Sequence, residues 1–128
     1  KKKQDNANYL TNKLKKLKGL ILPEMTKDIT HAYYMYPMRL NTSIIKVEKK
    51  KLFKLISKEK LPIADKYANI SNLPAIRNRI LKRNIFSNIE QLNNKEYLGL
   101  KMLAFDFNKK DLDFIALKLK NIWKTLKI

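Results

Sequence analysis

The side chains that most often carry out catalysis or bind metals are few and scattered in this sequence. Cysteine is missing, which excludes a thiolate nucleophile, a disulfide and a thiolate metal site. The one histidine, His31, has no carboxylate or hydroxyl partner at a spacing typical of a catalytic or metal site, so we expect an ordinary histidine in a sheet. Asp106, Asp111 and Asp113 lie close together but lack the glycine and terminal glutamate of a calcium loop. The pattern predicts neither a catalytic residue nor a metal site in this chain.

Phosphate binding is only weakly indicated. The two glycines, Gly19 and Gly99, stand far apart, so a glycine-rich phosphate loop is excluded. The basic run at residues 77–83 is the best local candidate for binding phosphate. A solvated helix face is the preferred interpretation of that run.

The net charge of +18 on 128 residues raises the alternative of a stand-alone basic module that binds nucleic acid or an acidic partner. The basic residues are mostly lysine and are spread along every segment, whereas bidentate recognition of phosphate or guanine favours arginine. We therefore favour a solvated lysine-rich surface, with nucleic acid bound only non-specifically. The hydrophobic share of 45% indicates a globular chain, and its length suits one domain over residues 1–128.

Helical periodicity appears near both ends and in the middle of the chain. Residues 5–18 and 46–58 carry apolar side chains three and four positions apart, and Gly19 is placed to end the first helix as its C′ residue. The inward side of the second helix should consist of Val47, Leu52, Leu55 and Ile56, and Lys49 should lie on its solvent-exposed side. Short helices are expected at residues 73–81 and 86–92. The last helix follows an N-cap at Asn108 and carries a long apolar stripe: Leu112, Ile115, Ala116, Leu119, Ile122, Trp123 and Leu126.

Two stretches predict strands. Residues 29–40 are rich in β-formers, and their even positions should face the core, while Pro37 favours an edge position or a bulge. Residues 98–107 are continuously apolar, which is typical of burial on both faces, and residues 61–64 are a third, short candidate. The alternation of helices and strands predicts an α+β fold, a two-layer domain with a small, mainly antiparallel sheet packed by helices.

Three segments, in this order, resemble the C-terminal small domain of the DegT/StrS family of PLP-dependent nucleotide-sugar aminotransferases. The first is NANYL at 6–10 with LKGL at 17–20 and LP at 22–23, similar to the family's "NA.YL...L....G...P". The second is THAYYMYPMRL at 30–40, followed at 49–60 by a helix in the place of the family's "L...L...GI". The third is NKEYLGLKM at 94–102, followed by a last helix containing IW at 122–123. The resemblance covers nearly the whole chain, although the family's Gly- or His-Tyr pair is Lys66-Tyr67 here and the following loop departs from its pattern.

The resemblance implies a fold-type-I PLP enzyme, usually a homodimer, whose absent large domain supplies the catalytic lysine and the PLP site. It implies that this chain is not catalytic alone and binds no PLP itself, but covers the active site and contacts a nucleotide-sugar substrate through Tyr67, His31 and Arg39. Of the lysines, only Lys66 and Lys101 lie beside segments expected to be buried. The longest apolar run, residues 19–23, is too short to cross a bilayer and no secretory signal is visible, so we expect a soluble, cytoplasmic piece of a longer protein.

Overall fold

A four-stranded antiparallel sheet organises the chain. The computed structural model describes residues 1–24, 28–70, 73–77 and 87–126. The elements in chain order are α1 (Lys2–Leu14), β1 (Leu20–Ile21), β2 (Tyr36–Leu40), α2 (Lys49–Lys58), β3 (Ile63–Ala64), α3 (Pro74–Arg77), α4 (Ser87–Gln91), a π-helical turn (Leu92–Glu96), β4 (Tyr97–Leu100) and α5 (Lys109–Thr125). The strand order is β1-β2-β4-β3, and every pairing is antiparallel. The predicted α+β fold with a small antiparallel sheet is confirmed.

The pairing register gives the sheet two distinct faces. Met38 pairs with Leu98 and Tyr36 with Leu100, and these apolar side chains are buried on one face, here called the helix face. Arg39 pairs with Tyr97 and Pro37 with Gly99, and because neighbouring residues of a strand point to opposite sides, these lie on the other, outer face.

The helices α1, α2 and α5 supply the rest of the core. Helix α1 packs on α5, and each contributes an apolar stripe to the same cluster of buried residues as the strands. The capping box of Asn108 and Asp111 begins α5 as predicted: the Asn108 Oδ1 accepts from the Asp111 N–H, and the Asp111 carboxylate accepts from the Asn108 N–H. Trp123 is buried, and its Nε1–H donates to the Lys18 carbonyl at 3.0 Å, which ties the end of α5 to the segment after α1.

Both long strand predictions were too long. Residues 29–35 are not a strand: Tyr33 has a left-handed φ of 48°, its ring is buried, and Ala32 and Tyr34 are exposed, so the predicted inward positions are wrong before residue 36. Strand β4 ends at Leu100, where the Met102 N–H donates to the Leu100 carbonyl at 2.9 Å in a tight turn. Burial on both faces is confirmed for Tyr97–Leu100.

Smaller differences concern boundaries and turns. Helix α1 ends at Leu14, so Gly19 is not its C′ residue; with φ of 80° it forms the turn into β1 instead. Strand β2 is interior in the sheet order, so the edge position predicted from Pro37 is wrong, although β1 pairs only with Arg39 and Leu40. Helix α2 begins at Lys49, with Val47 before it and Leu55 exposed.

Candidate functional site

The outer face of the sheet brings Arg39, Glu96 and Tyr67 together around one buried tyrosine. Its centre is Tyr97, which is only 6% exposed and whose hydroxyl has no hydrogen-bond partner among the described residues. Burial raises the pKa of the Tyr97 phenol, with a smaller contribution from Tyr67, so the hydroxyl stays protonated at neutral pH. A buried hydroxyl without a partner is costly, which marks this position as unusual.

Arg39 reaches from β2 to the start of β4 and pairs with Glu96. Its Nε and Nη2 donate to the Glu96 Oε2 at 3.0 and 2.7 Å. The guanidinium lowers the pKa of the Glu96 carboxyl below its ordinary value, burial opposes that shift, and a hydrogen bond from Gln91 adds to it. The side chain of Arg39 is 53% exposed, whereas that of Glu96 is 11% exposed. The guanidinium therefore contacts the buried carboxylate and is also open to solvent.

Tyr67 is held by its backbone rather than by its ring. The carboxamide of Asn93 accepts from the Tyr67 N–H and donates to the Tyr67 carbonyl, both at 2.9 Å. The ring is 53% exposed and packs edge-on against Tyr97, with centroids 6.1 Å apart. The loop after β3 is therefore fixed to the π-helical turn, and the phenol of Tyr67 faces solvent beside the centre of the outer face.

Lys49 is buried, so the prediction that it lies on the solvent-exposed side of α2 is wrong. It is 7% exposed, and its ammonium donates to the backbone carbonyls of Asp65 and Asn93. Burial lowers the pKa of Lys49; the nearby Asp65 opposes the shift and Lys66 adds to it. Lys49 also precedes Leu52 and Ile56 by three and seven positions, the spacing of one helix face, and that signal could have identified it as inward.

His31 lies apart from Arg39 and Tyr67. Its Nδ1 accepts from the Tyr33 N–H at 2.8 Å, its ring contacts the Tyr33 ring at a centroid distance of 4.3 Å, and its carbonyl accepts from Gln4 of α1. The histidine therefore precedes β2 rather than lying in the sheet. Arg39 and Tyr67 both flank Tyr97, and the contacts of His31 connect it to α1.

The described residues do not fit a PLP site. PLP needs a cluster of donors for its phosphate and a lysine that is free to react and whose pKa is lowered by burial or a neighbouring cation. Lys66 and Lys101, which the sequence placed beside buried segments, are exposed, and the ammonium of Lys49 is engaged by two carbonyls. Gly19 and Gly99 lie in a turn and a strand, and neither opens a helix among the described residues.

The remaining charged candidates have structural partners. Asp106 pairs with Lys2 at 2.6 Å, Asp113 pairs with Lys13 at 2.8 Å, and Asp111 caps α5. Within the described ranges no group of three or more potential metal ligands comes together. Most of the basic run at 77–83 lies outside the described residues. None of the helices that the structure describes is long and apolar enough to span a membrane.

The comparisons with known proteins show a distant likeness in sequence and a clear likeness in fold. The chain is 24% identical over 97 residues to the uncharacterized protein MJ1066 of Methanocaldococcus jannaschii, covering 75% of this chain and 25% of that protein. No protein-family model matches the chain. Its fold matches the aminotransferase TlmJ from Streptoalloteichus hindustanus with a TM-score of 0.73 at 15% identity. It also matches an aminotransferase from Psychrobacter cryohalolentis with a TM-score of 0.78 at 16% identity.

In both structural matches nearly the whole of this chain superimposes on a smaller part of a longer aminotransferase chain. The match covers 99% of this chain in each case, but only 32% of the TlmJ chain and 35% of the Psychrobacter chain. At these identities the likeness shows the fold. This chain has the α+β fold of about one third of each of those two aminotransferase chains.

Proposed function

We propose that this chain is the C-terminal small-domain portion of a PLP-dependent aminotransferase that acts on a keto-sugar nucleotide. The observation that carries the proposal is the fold match over 99% of the chain to about a third of two aminotransferases. The three sequence segments that resemble the DegT/StrS family point in the same direction and add the nucleotide-sugar substrate. Within this proposal, transamination serves the biosynthesis of a surface polysaccharide or glycan sugar in the cytoplasm.

The missing two thirds of such an enzyme would supply the catalytic lysine and the PLP site. This follows from the misfit of the described residues to PLP: the one buried lysine among them, Lys49, already donates to two carbonyls. When bound by the large domain, PLP would act as the electron sink of the amino transfer. We propose that this chain packs on that large domain and covers the active site, in a homodimer of the full-length protein.

The outer face of the sheet is the proposed substrate-facing surface. Arg39 uses two N–H groups for Glu96, and its exposed side keeps donors that suit a phosphate group. Tyr67, fixed by Asn93, presents an exposed phenol beside the same centre. His31 stays part of the proposal, but its contacts place it beside α1, so its contribution would be separate from that of the other two.

The net charge of +18 does not require a nucleic-acid function in this proposal. Lysine side chains distributed over the surface bind polyanions through counterion release, which is independent of sequence and weakened by salt. We propose that any binding of nucleic acid by this chain is of that kind.

The substrate-facing surface is tested in the protein encoded by the whole reading frame that contains this sequence. Tyr67→Phe and Arg39→Lys should raise the KM for the nucleotide sugar, by roughly tenfold for the arginine because a bidentate contact is lost. Tyr34→Phe is the matched control, since Tyr34 is also an exposed tyrosine, at 59%. Equal KM values in all three variants would refute the assignment of the outer face.

A further inference from the structure

Two cavities adjoin at the start of α2. One has a volume of about 440 Å³ and lies between the segment after β2 and the π-helical turn; the other, of about 320 Å³, lies between α2, the end of β3 and the same turn. Lys49, Lys50 and Asn94 line both cavities. We call the combined space the lysine cleft.

The lining of the lysine cleft is strongly basic. Its cationic side chains come from three separate parts of the chain and outnumber its two carboxylates, which belong to Glu48 and Asp65; they are Lys46, Lys49, Lys50, Lys66 and Lys95. The wall on the side of β2 and α2 is apolar, formed by Leu40, Ile45, Val47 and Phe53. A concave site with apolar walls concentrates the field of its charged groups and favours an anion over bulk solvent.

Lys49 distinguishes this cleft from an ordinary lysine-rich surface. A buried ammonium is costly unless it is paired with a negative charge. Lys49 is buried, yet it forms no salt bridge with any described carboxylate: its hydrogen bonds go to the backbone carbonyls of Asp65 and Asn93, and the nearby Asp65 carboxylate compensates its charge only in part. An ammonium has three N–H donors, so one remains beyond these two contacts.

From the burial of this partly compensated cation at the junction of two basic cavities, we infer that the lysine cleft binds a phosphoryl group, with Lys49 and Lys50 as its principal contacts. A phosphate dianion adds the negative charge that Asp65 supplies only in part, and it accepts several charge-assisted hydrogen bonds at once. Lys46, Lys66 and Lys95 surround the bound group. This inference does not depend on the proposed aminotransferase function, because it concerns only side chains of this chain.

The test is calorimetric titration of the purified chain with inorganic phosphate, inorganic pyrophosphate and a nucleoside diphosphate at constant ionic strength. One saturable site is expected. Lys49→Met should weaken binding at least tenfold, about the loss for one charge-assisted contact, and Lys50→Met several-fold. Lys54→Met is the matched control and should bind like the wild type, because Lys54 lies on α2, is exposed and lines neither cavity.

The three anions separate the sources of the phosphoryl group. Tighter binding of the nucleoside diphosphate than of pyrophosphate would assign the cleft to a nucleotide, and equal or weaker binding would assign it to an inorganic anion, with phosphate against pyrophosphate showing whether one or two phosphoryl groups are recognised. Equal weakening in Lys50→Met and Lys54→Met, or titrations without saturation, would overturn the inference.

Lys49→Met removes a buried group and is a risk to folding, so the wild-type chain provides a second readout. Amide chemical shifts on titration with pyrophosphate should change in a saturable way at residues 46–50, 65–66 and 93–95. Shifts spread along α5 and α1 without saturation would show only general attraction to a basic surface and would contradict the inference.

Discussion

Gly99 lies directly under the ring of Tyr97, and substituting it with alanine tests the structure of the outer face. A Cβ added at Gly99 would lie 2.1 Å from the Tyr97 Oη and 2.6 Å from its Cζ, far inside van der Waals contact. It would also lie 2.8 Å from the Cε of Met35, which is the far end of a flexible side chain and can shift. Tyr97 is buried, so its ring has little room to move away.

The sign of the change in unfolding free energy shows whether the new methyl group of Gly99→Ala collides with Tyr97 or lies in open space. Gly99 lies in β4, and in a strand without steric conflict Gly→Ala stabilises by roughly 0.4–1 kcal/mol through the unfolded chain. Overpacking a buried site costs about 1–3 kcal/mol, and the 2.1 Å approach places Gly99→Ala near the upper end of that range. In a Tyr97→Leu background, which removes the Cζ and the Oη, the same substitution should cost less than about 1 kcal/mol.

Urea unfolding followed by circular dichroism gives the four free energies of unfolding of this cycle. Tyr97→Phe adds an independent check: it removes the unpartnered buried hydroxyl and should stabilise by about 1 kcal/mol. A Gly99→Ala variant as stable as the wild type, or one whose cost is the same with and without Tyr97, would refute the described packing of the outer face.

Three further predictions each concern the stability effect of replacing a single residue. Lys60 follows α2 with a left-handed φ of 54°, so Lys60→Gly should stabilise by roughly 0.5–1 kcal/mol in urea unfolding, whereas the control Lys54→Gly, at an exposed position inside α2, should destabilise by about 1 kcal/mol. Trp123→Ala should cost roughly 3–5 kcal/mol as truncation of a buried aromatic, and a loss below about 1 kcal/mol would show that α5 does not bury that face. Arg39→Gln should cost about 1 kcal/mol at pH 7, because the ion pair is half-exposed and Glu96 keeps its hydrogen bond from Gln91. Because Arg39 lowers the folded-state pKa of Glu96, this stabilisation is present above the ordinary value of 4.5 and fades as the pH falls through the lowered pKa; a cost that persists in acid would contradict the ion pair.

The features that sequence predicted well are determined by short-range patterns. The capping box of Asn108 and Asp111 and the apolar stripe of α5 lie within one helix, so local spacing is enough to place them. The alternation of helical and strand patterns likewise predicts the antiparallel sheet. The ends of its strands could not be predicted, because packing and backbone hydrogen bonds impose the left-handed Tyr33 and the turn at Met102, and β-propensity does not report them.

The candidate site was less predictable because its contacts join distant parts of the chain. The sequence resemblance points to Arg39, but its partner Glu96 lies 57 residues away, and the two hydrogen bonds between Asn93 and Tyr67 span 26 residues. The residue type of Lys49 predicts a solvent-exposed position, although its spacing to the buried residues of α2 indicates an inward one. Long-range pairing of polar groups leaves no local pattern, and the fold had to be known before these residues could be grouped.

The most direct test of the proposed function is half-transamination, measured as conversion of PLP to pyridoxamine phosphate with glutamate as amino donor. We predict conversion by the protein encoded by the whole reading frame, and none by this chain alone above a lysine-rich control protein. Conversion by this chain alone, or none by the whole protein, would contradict the proposal that the chain is the non-catalytic portion of an aminotransferase.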